Sequence, residues 1–112
     1  MDLNQKIRQY LLYLKQCDEL DAKYKLDSIE IKLLNEIAYA LLAESCLTVS
    51  SMLALKKIAS PATLHAAMKR LIVKDLILQV PAQDSRTKFL HLSKLGWKRY
   101  SEHANILAAA VK

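Results

Sequence analysis

DSRTKFLHLSKLG, residues 84–96, carries a polar turn, a short apolar run and a helix start in close succession. Phe89 to Leu92 is the apolar run, and Leu76 to Val80 upstream is a second one, rich in Leu, Ile and Val. Runs of this length and composition read as strands. The segment PAQDSRTK between them is polar and turn-forming, so the two strands make a β-hairpin with Arg86 and Lys88 at its tip. Ser93 then stands where a helix N-cap belongs, ahead of a helix from Lys94 to about Ala110. Leu95, Tyr100, Ala104 and Leu107 supply the apolar stripe of that helix, with Trp97 one turn in.

Upstream of the hairpin, Ser60 followed by Pro61 is a cap and a first helical residue. The helix they open runs to about Lys74. Leu64, Met68 and Leu71 point inward at i, i+4 and i+7, with Ala67 beside them. Its outer face holds Ala62, Thr63, His65, Ala66, Lys69 and Arg70, small near the N-terminus and free of acid. Before it, Thr48 or Ser50 starts a short helix with Met52, Leu53 and Leu55 that stops around Lys57 to Ala59. Two short helices joined by a tight turn form a helix-turn-helix. With the hairpin directly behind it, the expected fold is mostly α with a small β-hairpin, a winged helix-turn-helix.

Residues 3–25 read as a helix. Leu3, Ile7, Tyr10, Leu14 and Cys17 recur at alternating spacings of four and three, a heptad seam, and Leu11 and Leu12 widen it. Alone, such a stripe would stay wet, so it packs on the domain or on a second copy. A second helix opens at Asp27 or Ser28, with Glu30 in its first turn, and ends near Glu44 to Cys46. Ile29, Leu33, Leu34, Ile37, Ala38, Leu41 and Leu42 form its core face. One Gly and two Pro among 112 residues suit a helical chain. The expected organisation is a single winged-helix domain over 1–112. It comprises an N-terminal dimerisation helix over 1–25, the helix-turn-helix and wing over 26–92, and a C-terminal helix over 93–112. The two terminal helices are expected to pack as a dimerisation layer, with Leu3, Ile7, Tyr10, Leu14, Cys17 and Leu107 at the interface.

Charge is unevenly placed. From Lys56 to Arg99 there are ten basic and two acidic residues, whereas residues 1–55 hold six basic and eight acidic ones. A positive field confined to one part of the chain suits a polyanionic partner, and a solvated basic face is the plainer alternative. The N-terminus is charged and polar with no apolar run behind it, and the longest apolar run, IAYALLA, is too short to span a membrane. With only Cys17 and Cys46, outside any C-x-x-C spacing, a reducing compartment is expected. The expected location is cytoplasmic and nucleoid-associated, with no membrane partner.

At this point the sequence resembles the MarR family of bacterial transcription regulators. Residues 84–96 match that family's wing signature, D-x-R-x-x-x-x-x-L-[ST]-x-x-G, through Asp84, Arg86, Leu92, Ser93 and Gly96. The chain's only Gly lands on the motif's Gly. Ser60, Thr63, Leu64, Leu71, Leu76 and Ile77 match the family's helix-turn-helix, and the resemblance spans roughly Leu26 to Tyr100. It departs at Asp75, where the family usually has a Gly in left-handed conformation, which Asp tolerates better than most residues. It departs again at Ala66, where an Arg is common, which removes a group that would contact bases. The chain also closes soon after its last helix, so part of the family's usual helical dimerisation region is expected to be missing.

The resemblance implies double-stranded DNA as partner, a homodimer and a small-molecule effector. It places the helix of about 61–74 in the major groove with Ala62, Thr63, His65 and Lys69 outward, and Ser60 and Arg70 on phosphates. Ser50 and Ser51 would offer donors to a phosphate. The wing, about 81–88, would put Arg86 near the minor groove and Lys88 on the backbone, with Asp84 orienting Arg86 through a charge-assisted pair. Some MarR-like peroxide sensors carry a reactive Cys near Tyr hydroxyls on the first helix, where Cys17 has Tyr10, Tyr13 and Tyr24 within reach. A small interface thiol is the commoner role for such a residue.

His65, His91 and His103 are far apart and on different elements, so neither a metal site nor a cofactor is expected. No Gly-rich phosphate loop and no nucleophile–base–orienter set can be assembled, so no enzymatic activity is expected. Two other functions suit the same fold: a winged-helix protein-interaction module without specific DNA binding, and a sequence-neutral architectural DNA-binding protein.

Overall fold

The computed structural model describes residues 2–112. The elements run α1 (Leu3–Lys23), α2 (Ser28–Leu42), β1 (Leu47–Thr48), α3 (Val49–Leu53), α4 (Pro61–Val73), β2 (Ile77–Pro81), β3 (Lys88–Leu92) and α5 (Lys94–Ala110). They divide into two compact units, Asp27–Trp97, and the residues up to Leu26 together with Lys98–Lys112.

In the unit Asp27–Trp97, local chemistry sets the helix starts. Asp27 caps α2 through a full capping box: its Oδ1 accepts the N–H of Glu30 at 2.8 Å, and Glu30 Oε1 accepts the N–H of Asp27 at 2.9 Å. Thr48 caps α3, and Ser60 with Pro61 opens α4. Leu33, Leu34, Ile37 and Ala38 of α2 are buried, as are Met52 of α3 and Leu64, Ala67, Met68 and Leu71 of α4. Burying each of the Leu, Ile and Met side chains in this set contributes roughly 1.5–3 kcal/mol. Leu42 departs from the expected core face and is exposed. It is the last residue of α2, just before the chain reverses through Glu44 at φ 56°.

The hairpin gains a third strand. β1 pairs antiparallel with β3 (Leu47 opposite Leu90, Thr48 opposite Phe89), giving the sheet order β1-β3-β2. In sequence, residues 47–48 read only as the approach to a helix. A two-residue strand has no alternation to reveal it, and only its partner in space defines it. β2 pairs with β3 from Ile77 opposite Leu92 to Pro81 opposite Lys88. Pro81 is tolerated because β2 is an edge strand.

The wing motif is explained residue by residue. Asp75 adopts the left-handed conformation, φ 61°, and turns the chain from α4 into β2. Ser93 Oγ donates to the Asp75 carbonyl at 2.5 Å and accepts the N–H of Gly96 at 3.0 Å, so one hydroxyl caps α5 and ties it to that turn. A Cβ on Gly96 would lie well inside contact distance of the Leu76 carbonyl oxygen, so close backbone approach demands the chain's one glycine.

In the other unit, Asp2 caps α1 and accepts the N–H of Gln5 at 2.8 Å. Asp21 gathers the polar ties. Its Oδ1 accepts from Arg99 Nε at 2.8 Å and Nη2 at 2.7 Å, with His103 Nε2 2.9 Å away. The Tyr24 hydroxyl donates to Glu102. Burial raises the Tyr24 pKa to about 12, helped by that bond and by the Glu102 charge, against the opposing pull of Arg99. Leu3, Ile7, Tyr10 and Leu14 are exposed, and no residue of α1 is buried.

Candidate nucleic-acid interface

The helix α4 presents two flanks around its buried stripe. On one flank His65 faces the wing. On the other, Arg70 and Lys74 face the N-terminus of α2.

The wing-side flank forms one wall of a cleft of ≈ 610 Å³. Ser50 at the start of α3, His65 of α4, Gln79 of β2, Thr87 of the turn and Arg86 and Lys88 of the wing all line it. Four residues singled out in sequence (Ser50, His65, Arg86, Lys88) therefore meet at one concavity although they come from three separate segments. Gln79 and Thr87 join them without having been singled out. The signal for Gln79 is its position between Leu78 and Val80, which puts it on the opposite sheet face from both.

The wing tip is shaped by Asp84, but not as expected. Its carboxylate takes backbone rather than the Arg86 guanidinium: Oδ1 accepts the N–H of Arg86 at 3.1 Å and of Thr87 at 2.9 Å, and Oδ2 accepts the Thr87 hydroxyl at 3.0 Å. No salt bridge links Asp84 to Arg86 among the described residues. Short-range N–H donors in the turn are better placed than a long flexible side chain, and Ser85 at φ 59° turns them toward the acid. The bonds from Thr87, its N–H first and then its hydroxyl, hold the Asp84 carboxyl below its ordinary range against the opposing effect of burial, with the Arg86 N–H and the Lys88 charge adding to them. Arg86 is exposed, its guanidinium paired with no carboxylate among the described residues, on a backbone fixed from below.

Ala62, Thr63 and Lys69 lie exposed on the outer face of α4. Ser60 and Thr63 pair with each other: the Thr63 N–H donates to Ser60 Oγ at 3.3 Å, and the Ser60 hydroxyl donates to Thr63 Oγ1 at 2.9 Å. Thr48 and Ser51 repeat the arrangement at α3, at 3.0 Å and 2.9 Å, while Ser50 stays exposed.

Arg70, expected on a phosphate, is held elsewhere. Its Nη2 sits 3.1 Å from Asp27 Oδ2, and its Nε 3.7 Å from Glu30 Oε2. Lys74 Nζ reaches the same Glu30 oxygen at 2.6 Å. Helix spacing puts Arg70 and Lys74 one turn apart on the α2-facing flank, where two carboxylates fixed by the capping box meet them. Burial alone would raise the Asp27 pKa, but the Glu30 N–H and the Arg70 charge outweigh it and the net shift is downward.

Cys17 is a free, half-buried thiol, and a hydrogen bond to it is the first cause of the raised pKa of Tyr13. Cys46 and His91 form a pair that sequence spacing does not show, Sγ to Nε2 at 3.3 Å, created by the β1–β3 pairing. Among the described residues no three His, Cys, Asp or Glu side chains gather to hold a metal ion, and no helix is long and apolar enough to cross a membrane.

No family model and no curated protein matches the sequence. Solved structures do match the fold. S. aureus MepR in complex with DNA superposes with a TM-score of 0.74 at 19% identity, covering 95% of this chain and 85% of that one. The transcriptional regulator Tm0710 from Thermotoga maritima gives 0.72 at 13% identity, over 90% of this chain and 68% of that one. S. aureus MarR in complex with salicylate and kanamycin gives 0.65 at 24% identity, over 92% and 66%. The chain has the winged-helix fold of MarR-type regulators.

Proposed function

We propose that this protein is a homodimeric transcription regulator that binds double-stranded DNA, with α4 in the major groove and the wing tip, about 81–88, on the minor groove or backbone. The observation that carries this is the convergence of Ser50, His65, Arg86 and Lys88 on one cleft in the most basic part of the chain. A groove-facing surface needs small residues where the backbone must come close and cations at its rims. Ala62 and Thr63 supply the first, and Lys69, Arg86 and Lys88 the second. Thr63, His65 and Lys69 would meet base edges. Ser60, with Ser50 and Ser51, would meet phosphates. Asp84 would act by holding the Arg86 backbone in place. That one fold neighbour was solved with DNA supports the same assignment.

The dimer rests on α1. Its heptad seam is open to solvent, with Leu3 71% and Tyr10 59% exposed, and a self-complementary seam of this kind suits a two-fold partner. Leu107 extends the apolar surface on α5. A small-molecule effector belongs to the same proposal, since one fold neighbour was solved with salicylate and kanamycin. The place of action would be the bacterial cytoplasm, on the nucleoid, with no catalytic step.

The test is selection of bound duplexes from a random pool. The expected result is a near-palindrome with half-sites about one helical turn apart. Arg86→Ala should make the log–log salt dependence shallower by about 0.9, the loss of one phosphate contact. Absence of duplex binding at low salt would move the assignment to a protein-interaction module. Equal binding to all duplexes would move it to an architectural protein.

A further inference from the structure

We infer that Asp27 and Glu30 withhold Arg70 and Lys74 from phosphate, and so set which flank of α4 engages a polyanion. The inference rests on the DNA-binding function proposed above and adds a specificity device to it.

Two features separate these ion pairs from ordinary surface pairs. First, the acids are built in. The Glu30 side chain is 2% exposed, its Oε1 is fixed by the Asp27 N–H, and its Oε2 faces both cations. A buried carboxylate without those cations would be left uncompensated, so the pairs are held. Second, the cations sit near solvent. The Arg70 and Lys74 side chains are 44% and 26% exposed, so a guanidinium released from its carboxylates would have solvent and a phosphate within reach.

The other flank is treated differently. Among the described residues neither Lys69 nor Arg86 forms a salt bridge, and His65 opens onto the wing cleft. The same helix thus carries carboxylate-paired cations on the α2 side, while the cations toward the wing have no carboxylate partner among the described residues. Phosphate contacts bring affinity without sequence information. Neutralising two of them in advance lowers binding to random duplex while leaving contacts to base edges untouched.

The experiment compares salt dependence of binding to a random-sequence duplex. Asp27→Asn with Glu30→Gln keeps oxygen acceptors for both capping-box bonds but removes both charges. Its slope should steepen by at least about 0.9, the contribution of the freed Arg70, and its preference for the selected site over random duplex should fall. Arg70→Ala with Lys74→Ala in the otherwise unchanged chain should leave the slope of the parent protein as it is. Added to the Asp27→Asn, Glu30→Gln variant, that pair of changes should return the steepened slope to the parent value. A purely structural clamp would shift stability and leave every slope alone. An unchanged slope in the first variant, or a shallower one in the second, overturns the inference while DNA binding stands. If the unmodified protein binds no duplex at low salt, the DNA-binding proposal has failed and takes this inference with it.

Discussion

The two compact units differ in how they treat apolar side chains. In Asp27–Trp97 the stripes of α2 and α4 meet, and Leu33, Leu34, Ile37, Leu64 and Leu71 are fully buried. In the other unit α1 is just as stripe-patterned, yet none of its residues is buried. Polar ties lie at its C-terminal end, through Asp21 and Tyr24, while Leu3, Ile7, Tyr10 and Leu14 stay open. An amphipathic pattern therefore states that a face needs covering but not what covers it. One unit satisfies the requirement from its own chain. The other presents it outward, as a dimerisation helix would.

Three changes would test this contrast, the largest effect first. Leu64→Ala removes a fully buried side chain where α4 packs and should cost about 2–5 kcal/mol, read as a lower urea midpoint and early loss of Asp27–Trp97. A loss under about 1 kcal/mol would mean that this core is less closed than its burial indicates. Ile7→Glu with Leu14→Glu should convert the proposed dimer to monomer in sedimentation and weaken the proposed DNA binding, while helicity is retained. A dimer that survives both charges would place the two-fold seam elsewhere.

The smallest effect concerns pH. Tyr24 is stabilised in its protonated form, with a folded pKa of about 12 against an ordinary 10.0. A raised pKa contributes stability that is fully present below the ordinary value and lost as pH rises through the folded one. Residues up to Leu26 and Lys98–Lys112 should therefore loosen between about pH 10 and 12, with phenolate absorbance rising over the same range. Tyr24→Phe should abolish that step, and a Tyr24→Phe profile identical to the parent's would assign the loosening to another group.

Much of this is legible in sequence because it is local. Ser60 and Pro61, Ser93, Asp27 with Glu30, and the inward stripe of α4 each depend on neighbours within a turn or two. Asp75 is legible as a turn residue, and its left-handed φ agrees. What sequence reasoning misses is non-local. β1 exists only because β3 lies beside it, and the Cys46–His91 pair follows from that same pairing. Asp84 and Arg86 look matched as opposite charges two residues apart, but backbone N–H groups in the turn compete for the carboxylate and win.

The sequence alone determined the order of the helices and of the two hairpin strands, and the helix starts. Capping hydroxyls, fixed helical periods and turn chemistry act over a few residues and have little freedom to choose otherwise. Only the tertiary structure decided which cations of α4 are tied to carboxylates. Arg70 and Lys69 are adjacent and chemically alike in sequence, yet about 100° of helical rotation sends one to the carboxylates of α2 and leaves the other facing outward.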